Sequence, residues 1–515
     1  MQAGARQIEI ELTLRLQPDK VQALLGAEAL AALQVGRTQR KRLRSVYFDT
    51  PDQQLRRQRV VLRVRKIGRR FAQTIKTAPR ADQAFIQRGE WERALPDQRP
   101  DVTAFDGDRD LRKLFAAPEF SDSLTAIFTT DFTRTIMPLR LGDATLELAV
   151  DTGEIRGAGR TEAICEVEIE LKSGSVAHVY EIAELVRRCV PVTLETLSKS
   201  ARAWALLDGG VVAPCRAARL QLDRRQGLGV GFQTIARACL YQLRINAAAV
   251  ARCDDPEGMH QLRVALRRLR SAFAAFAQPM QLGERRVFAR RLRALARTTD
   301  AARELDVFLG EILAAVRKGV GQDPGLASVA AAAERARLAA WLRVRQMIAS
   351  DRFTEAVLSL EAWLENGGWR ASAGPAYDEP LRDFAQRILK RLHRKLVRTG
   401  ARIDELAEAD LHALRLRAKK QRYAGEFLRS VFDAKAGKSY LAALGAVQDH
   451  LGVLNDSVTV RHLLTRLARA KIADRPGFER GAAVVQGWCA ARVTSELERL
   501  PGTWERFVDQ RIFWK

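Results

Sequence analysis

The chain has 515 residues, of which 47% are hydrophobic and 29% are charged, and this composition excludes an intrinsically disordered protein. Its length exceeds what a single hydrophobic core supports, so we expect roughly two to four domains. Lysine and arginine total 86 against 61 aspartate and glutamate residues, which gives a net charge of +25. A chain this basic favours a polyanionic partner, and charge alone does not distinguish a nucleic acid from an acidic membrane or a phosphate polymer.

Neither the first residues nor the apolar segments predict export or membrane insertion. No apolar run reaches the roughly 18 residues that a transmembrane helix needs. The start, MQAGARQIEIELTL, lacks the features of a secretory signal, so we expect a cytoplasmic protein. The cysteines form no CxxC pair, which favours buried thiols in a reducing compartment over a zinc site or disulfides. They are Cys165, Cys189, Cys215, Cys239, Cys253 and Cys489.

Residues 1–207 are rich in segments whose side chains alternate between apolar and polar, which is the pattern of β-strands. Two helical stretches accompany these strands, near residues 18–33 and across residues 175–207. We therefore predict an antiparallel β domain with flanking helices. Its predicted strands cover residues 8–16, 44–50, 60–68, 70–77, 89–95, 129–141, 144–155 and 161–174.

Residues 208–228 contain glycine, proline and mixed charge, which predicts a linker. From residue 229 to residue 505 the alternation gives way to helical periodicity, so we predict an all-α domain. The expected architecture is therefore an α+β protein of two domains. Breaks between the helices are predicted near residues 253–257, 318–325, 366–380 and 434–438.

Charged residues recur at alternate positions on strand after strand, so those of one strand share one face of the predicted sheet. One interpretation is a solvated face with surface ion pairs. The other is a closed barrel with this face inside, where carboxylates bind a divalent cation and basic residues bind phosphate oxygens. Such a cavity is suited to metal-assisted phosphoryl transfer to water. The residues are Glu9, Glu11, Arg63, Arg65, Lys76, Glu90, Glu92, Arg134, Glu147, Asp151, Glu166, Glu168 and Glu170.

The helical region contains an internal repeat, since HQLRVALRRLR begins at residue 260 and HALRLRAKKQR begins at residue 412. Spacings of three and four residues place the basic side chains of each copy on one helix face, where like charges oppose each other unless an anion binds. A solvated helix face is the alternative. Duplication predicts two helical bundles. The first copy has His260, Arg263, Arg267 and Arg270, the second has His412, Arg415, Lys419 and Arg422, and a third stripe has Arg290, Arg293 and Arg297.

An ordered series of motifs in residues 6–207 resembles the CYTH family, the triphosphate tunnel metalloenzymes. The series runs IEIEL, YFDTPDQQL, LRVR, QTIK, RGEWE, CEVEIELKSG and LSKSARAWAL. That family includes inorganic triphosphatases, thiamine triphosphatases and a class of adenylate cyclases. The resemblance implies an eight-stranded antiparallel tunnel that binds a triphosphate together with Mg²⁺ or Mn²⁺.

The resemblance also implies roles for the charged residues. The family's opening motif is ExExK, and Thr13 stands where its lysine belongs. Arg15 lies on the same strand face, about 6 to 7 Å further along, and is a candidate substitute that binds phosphate. The implied metal ligands are Glu9, Glu11, Asp151, Glu166, Glu168 and Glu170, the phosphate-binding residues are Arg63, Arg65, Lys76, Arg134 and Lys199, the mid-tunnel acids are Glu90 and Glu92, and the catalytic residues are Glu9, Glu11, Lys76, Glu168 and Glu170.

The repeated helical motifs, with ARELDVFL after the first copy and VQDHLGVLND after the second, resemble the CHAD domain over residues 229–500. This implies paired four-helix bundles whose basic stripes bind inorganic polyphosphate. We therefore predict a metal-dependent inorganic triphosphatase with a polyphosphate-binding helical domain, associated with polyphosphate granules. The alternative is a polyphosphate-binding or targeting protein whose tunnel is degenerate because of Thr13. Adenylate cyclase activity is a lesser option, and nucleic acid is disfavoured because aromatic residues, 7% of the chain, do not interleave with the stripes.

Overall fold

The computed structural model describes residues 7–77, 87–103, 105, 109–277, 284–321, 323–432 and 434–515. The chain divides into two compact units. An antiparallel sheet dominates the first unit and helices make up the second, which confirms the predicted α+β class. The first unit comprises residues 1–216, 240–258 and 348–367, and the second comprises residues 217–239, 259–347 and 368–515.

The sheet has nine strands among the described residues, in the order β5-β4-β3-β2-β6-β7-β8-β1-β9. β1 also pairs with β5, and because this pairing joins the two sides of the sheet, β1 to β8 close into a barrel. The predicted eight-stranded tunnel is therefore confirmed, with the three-residue β9 as an addition beside β1. The strands are β1 (Gln7–Leu16), β2 (Gln39–Asp49), β3 (Val60–Ile67), β4 (Arg70–Thr77), β5 (Gln87–Leu95), β6 (Thr125–Leu141), β7 (Ala144–Gly157), β8 (Arg160–Ser173) and β9 (Val192–Leu194).

The described helices are mostly short within the first unit's sheet region, and most of those after residue 228 are long, with α11 and α14 as short exceptions. A π-helical turn, Phe308–Leu313, joins α10 to α11. No described helix has the length and apolar character that crossing a membrane requires. The helices are α1 (Val21–Leu25), α2 (Glu28–Ala31), α3 (Gln54–Arg57), α4 (Arg109–Phe115), α5 (Pro118–Asp122), α6 (Val176–Cys189), α7 (Lys199–Leu207), α8 (Leu228–Arg252), α9 (Pro256–Phe276), α10 (Arg285–Val307), α11 (Ala314–Val320), α12 (Pro324–Ile348), α13 (Asp351–Asn366), α14 (Gly368–Ala373), α15 (Leu381–Thr399), α16 (Glu408–Leu428), α17 (Ala434–Ala468) and α18 (Arg475–Val508).

The outer face of the barrel carries its largest apolar core. Leu12 and Leu14 of β1 and Ile169 of β8 are fully buried in one cluster with Val179 and Ile182 of α6. Because successive side chains on a strand point to opposite faces, the polar residues that alternate with these leucines point toward the barrel axis. The barrel is therefore apolar outside and charged inside.

A second apolar cluster fills part of the barrel interior. Phe128 and Phe132 of β6 pack there with Ala203 of α7. The α7 helix begins after Ser198, whose hydroxyl accepts a hydrogen bond from the backbone of the first turn and so caps the helix. This packing fixes α7 against the barrel and directs its first residue, Lys199, toward the charged part of the interior.

The two copies of the repeat lie on α9 and α16, each 21 residues long. In the second copy, α15 packs on α16, α16 on α17 and α17 on α18, which is the predicted four-helix arrangement. The C-terminal residues Phe513 and Trp514 are buried, with ring centroids 5.6 and 5.0 Å from that of Tyr440 on α17. The end of the chain therefore packs on the second unit.

Candidate functional site

Charged side chains line a cavity of about 610 Å³ inside the barrel. The predicted residues among them come from six strands and from α7, so alternation along each strand becomes one continuous surface. Asp151 is fully buried next to its partners Glu166 and Glu168, while Arg15 lies outside the lining. The predicted residues that line the cavity are Glu9, Glu11, Arg63, Arg65, Lys76, Glu90, Glu92, Arg134, Glu166, Glu168, Glu170 and Lys199.

Three carboxylates, those of Asp151, Glu166 and Glu168, form a buried acidic cluster with oxygen atoms within 4.8 Å of one another. The Lys199 ammonium lies 2.7 Å from Asp151 Oδ2 and 2.6 Å from Glu168 Oε1, and it also contacts Glu166. Arg134 donates two hydrogen bonds to Asp151, at 2.8 and 2.7 Å, and contacts Glu168. The carboxylates are thus held close together by two interleaved cations.

Burial and these cations shift the pKa values of the cluster in opposite directions. Burial, supported by the nearby charge of Glu168, raises the pKa of Glu166. Burial alone would also raise the pKa of Glu168, but Arg134 and Lys199 hold it well below its usual range. Likewise, burial opposes the charge of Lys199, yet the three carboxylates raise its pKa. Lys199 is therefore a stable ammonium at neutral pH, and the cluster separates one easily protonated acid from one that stays ionised.

Arg63 and Arg65 of β3 form a basic wall on another side of the cavity. Burial, together with the charges of Arg63 and Arg134, lowers the pKa of Arg65 to about 10. Its Nε donates a hydrogen bond to Ser45 Oγ at 3.2 Å, and no described acidic side chain forms an ion pair with it. Such a guanidinium gains most from an added anion, because its charge is buried among like charges.

Glu9, Glu11 and Glu170 form an acidic wall where β1 and β8 pair. Glu11 lies directly opposite Glu170 in the β1–β8 register. Burial raises the pKa of Glu170, and the charges of Glu9 and Glu11 raise it further. Lys76 lies 2.7 Å from Glu9 and 3.2 Å from Glu90, so one ammonium is shared between β1 and β5.

These acidic residues suit a divalent cation. Their donor atoms are all carboxylate oxygens, which hard cations such as Mg²⁺ and Mn²⁺ prefer, and they converge from strands that pair directly. The ammonium of Lys199 already lies where Asp151, Glu166 and Glu168 converge, which shows that the cluster accommodates positive charge. The residues present therefore fit the predicted metal.

Thr13, the departure from the expected motif, lines the cavity directly opposite Glu168 in the β1–β8 register. Arg15 turns away from this position, because its guanidinium bonds to Glu195 at 2.9 and 3.2 Å. Lys199 is the ammonium that contacts Glu168 instead. A helix after the barrel thus supplies the positive charge at this position, and the phosphate-binding role of Arg15 stays a prediction.

The sequence analysis did not identify several residues in or next to the cavity. Arg202 lies outside the cavity lining but is 1% exposed and 2.6 Å from Glu166, and its position three residues after Lys199, on the same helix face, was a usable signal. Tyr47 lies opposite Arg63 in the β2–β3 register, and its alternation within YFDT was also a signal. No sequence signal pointed to Tyr241 of α8, because it lies far along the chain from the strands that form the barrel.

In the second unit, the two copies of the repeat contribute to one basic cluster. Arg263, Arg267 and Arg270 of α9 line a pocket of about 300 Å³ with Arg293 and Arg297 of α10. Arg267 also lies close enough to Arg415 and Lys419 of α16 to shift their pKa values. The structure thus places members of all three predicted stripes in one neighbourhood.

The remaining predicted residues of the stripes lie outside this pocket. Arg290 is exposed, and Arg422 pairs with Glu426 at 2.8 Å. His412 approaches Asn455 at 3.2 Å, and His260, although it has a partner, is not part of the pocket lining. Their role in binding polyphosphate stays a prediction.

Lys419 carries the largest electrostatic perturbation of the basic cluster. Burial, together with the charges of Arg415 and Arg267, lowers its pKa to about 7, although Asp456 opposes this shift. Burial is the largest cause of this shift, and repulsion by Arg415 and Arg267 adds to it. A polyanion bound next to Lys419 would favour its charged form.

A closed antiparallel barrel with an acidic and a basic wall, followed by duplicated basic helices, defines a two-domain protein with a charged tunnel. Comparison with known families makes this specific. Residues 7–203 match the CYTH domain and residues 234–465 match the CHAD domain. The chain therefore contains a CYTH domain followed by a CHAD domain, which confirms the recognition made from its motifs.

Two relatives indicate the extent of the similarity. An inorganic triphosphatase of Haemophilus influenzae is 29% identical over 202 residues, which are 38% of this chain and 54% of that protein. The chain thus spans about half the length of this curated relative. The crystal structure of the CHAD domain from the plant Ricinus communis is 29% identical, with a TM-score of 0.50, and the match covers 58% of this chain and 98% of that one.

Proposed function

We propose that the barrel hydrolyses inorganic triphosphate to diphosphate and phosphate with a divalent cation, and that the helical region binds inorganic polyphosphate. The observation that best supports catalysis is the division of one cavity into an acidic wall, with Glu11 and Glu170, and a basic wall, with Arg63 and Arg65. A phosphate chain would complement the basic wall and a cation the acidic wall. The similarity to an inorganic triphosphatase supports triphosphate as the substrate.

The basic wall binds and orients the substrate. Arg65, which is buried close to Arg63 and Arg134, donates hydrogen bonds to the phosphoryl oxygens. Arg63, two residues away on the same face of β3, binds the same anion. Lys76, which is shared between Glu9 and Glu90, neutralises charge that develops on the transferred phosphoryl group. Together these contacts align the terminal phosphate for attack by water.

The acidic wall positions the cation and the water. Glu9, Glu11 and the carboxylates of the buried cluster would hold Mg²⁺ or Mn²⁺, which supplies charge neutralisation to the phosphoryl oxygens when it is bound. Glu170 accepts a hydrogen bond from the attacking water and takes its proton at a carboxylate oxygen. Burial raises the pKa of Glu170, Lys172 opposes this shift, and the charges of Glu9 and Glu11 add to it, so this carboxylate accepts a proton more readily than a solvated one.

The basic cluster of the second unit is proposed as the polyphosphate site. Arg263, Arg267 and Arg270 line a concave pocket, and Arg267 also lies close enough to Lys419 to add to the lowering of its pKa by burial. A flexible chain of phosphates matches such a surface through charge alone, without recognition of bases. The cytoplasmic location and the association with polyphosphate granules stay predictions.

A tunnel that binds phosphate without turning it over remains the second candidate function. Thr13 supplies no charge opposite Glu168, and Lys199 and Arg134 already neutralise the buried acidic cluster. A cluster satisfied by protein cations gains less from a metal than one that lacks them. This alternative predicts triphosphate binding with no metal-dependent release of phosphate.

Phosphate release from triphosphate, measured on the full chain with and without Mg²⁺, distinguishes the two candidates. The proposal predicts release by the natural protein and a loss of roughly 10²- to 10³-fold in kcat/KM for Arg65→Ala, because a buried contact to the reacting group is removed. Arg44→Ala is the matched control, since Arg44 is a strand arginine that is exposed and paired with Asp131 at 2.7 Å. Natural protein that releases no more phosphate than Glu11→Ala overturns the catalytic proposal.

A further inference from the structure

The basic side chains that line the cavity are not limited to Arg63 and Arg65 of β3, because Arg59, just before this strand, lines it as well. Arg59, Val61, Arg63 and Arg65 all line the cavity, at alternate positions leading into and along β3. At about 3.3 Å per extended residue, the Cα atoms of Arg59 and Arg63 are about 13 Å apart. The basic surface of the cavity therefore extends beyond Arg63 and Arg65 toward Arg59.

Arg59 occupies its position at a conformational cost. Its φ angle is +60°, in the left-handed region that residues other than glycine rarely adopt. A glycine would adopt this angle without penalty, so the turn itself does not need an arginine. Strained residues of this kind cluster at ligand sites, where the side chain has a use. Arg59 lines the cavity, so contact with a ligand bound there is a use that would explain the strained angle.

A buried hydroxyl fixes this arginine. Tyr241 of α8 is 7% exposed, lines the same cavity, and accepts a hydrogen bond from Arg59 Nη2 at 2.7 Å. In the described part of the chain, no acidic side chain forms an ion pair with Arg59. Next to it, Arg56 lies over the Trp204 ring at 4.5 Å and forms an ion pair with Asp208, and both Arg56 and Trp204 line the cavity. Arg59 is therefore the arginine of these two whose charge an added anion would neutralise.

We propose that Arg59, positioned by Tyr241, forms a distal phosphate subsite that receives the part of a linear polyphosphate extending beyond a triphosphate bound at Arg63 and Arg65. The inference rests on the proposed function and specifies its substrate class: linear chains of four or more phosphates are taken, with the extra phosphates at Arg59. Tyr241 lies in the span that matches the CHAD domain. A residue of that domain therefore acts as a positioning residue for the tunnel.

The test compares tetraphosphate with triphosphate as substrates of the full chain. Arg59→Ala is expected to lower kcat/KM for tetraphosphate by roughly 10- to 100-fold, the effect of losing a charge-assisted contact, and to leave triphosphate within about twofold. Tyr241→Phe removes the positioning hydroxyl and should give a smaller loss in the same direction, again confined to tetraphosphate. A merely structural role for either residue would affect both substrates equally.

Two further variants keep the result interpretable. Arg57→Ala is the matched control, because the Arg57 side chain is 70% exposed and pairs with Asp52 at 3.3 Å. Arg59→Gly relieves the strained φ angle, so it should melt no lower than Arg59→Ala and still lose the tetraphosphate preference. Equal losses on both substrates, or no loss, overturn the subsite while leaving triphosphate hydrolysis intact.

Natural protein that hydrolyses neither substrate contradicts the proposed function instead. The subsite is then tested by measuring the affinities for tetraphosphate and triphosphate by calorimetry. All proteins in this experiment carry Arg267→Ala, which weakens binding at the basic cluster of the second unit. A lower affinity of Arg59→Ala for tetraphosphate alone supports the subsite. Unchanged affinity for both ligands overturns it.

Discussion

Replacing Lys199 with methionine tests how the buried acidic cluster is held together. The ammonium of Lys199 lies 2.7 Å from Asp151 and 2.6 Å from Glu168, and its side chain is only 8% exposed. Although burial opposes its charge, the carboxylates raise the pKa of Lys199, so its stabilising contribution is fully present at neutral pH and is lost only as the pH rises through the raised value. Lys199→Met therefore leaves buried carboxylates without their central cation at pH 7.

The magnitude follows from this burial. Removing one partner of a buried ion pair costs about 3–5 kcal/mol. Glu166, whose pKa burial already raises, takes up a proton in the variant, and Arg134 keeps its contact with Asp151, so we expect a value near the lower end. A loss of about 3 kcal/mol corresponds to roughly 100-fold faster hydrogen exchange of β7 and β8 amides through local opening.

The assay is hydrogen–deuterium exchange of peptides from β7 and β8, in EDTA and in Mg²⁺. A cation present at 100 times its dissociation constant stabilises the protein that binds it by about 2.7 kcal/mol, so Mg²⁺ should slow exchange in the natural protein and in Lys199→Met. Lys172→Met is the matched control, because Lys172 of β8 is 38% exposed and its pairing with Glu170 is worth about 1 kcal/mol or less. Exchange in Lys199→Met that matches this control refutes the reasoning, and the absence of a Mg²⁺ effect refutes the metal assignment.

Three further predictions concern single residues. Thr13→Lys places a second ammonium opposite Glu168, which Lys199 already contacts, so phosphate release should change by less than about tenfold, and a larger rise would show an impaired tunnel. Burial would raise the pKa of Glu162, but Arg252 helps to lower it to about 2, so Glu162→Gln should lower the urea midpoint at pH 7 and progressively less as the pH falls from about 4.5 toward 2. Lys419, with a pKa of about 7, should take up a proton when polyphosphate binds at pH 7.5. Calorimetry in buffers of different ionisation enthalpy measures this proton uptake, and Lys419→Met should abolish it.

The sequence predicted those features that depend on local periodicity. Alternation in β1 placed Glu9 and Glu11 on one face and Leu12 on the other, and the same rule on each strand predicted one charged face of the sheet. That this face lines a closed barrel was implied by the resemblance of the motifs, because alternation alone also fits a solvated face. The repeated spacing on α9 and α16 likewise predicted the basic stripes. Both are properties of neighbouring residues, so tertiary structure was not needed to find them.

Which charged side chains pair with each other could not be predicted, because pairing depends on strand register and on long-range packing. Lys199 reaches the acidic cluster only because α7 packs against the barrel, and Arg15 is drawn instead to Glu195, which lies 180 positions later in the chain. Tyr241 meets Arg59 across a separation of 182 residues. No spacing rule connects residues so far apart, so the residue that supplies charge next to Glu168 emerges only from the fold.

The most direct test of the central claim is ³¹P nuclear magnetic resonance of triphosphate incubated with the full chain and Mg²⁺. We expect the triphosphate signals to disappear while diphosphate and phosphate appear in equal amounts, and we expect EDTA or Glu11→Ala to stop the reaction. Triphosphate that binds yet stays intact, with the same spectrum for the natural protein and Glu11→Ala, would contradict the account and leave the tunnel as a binding site.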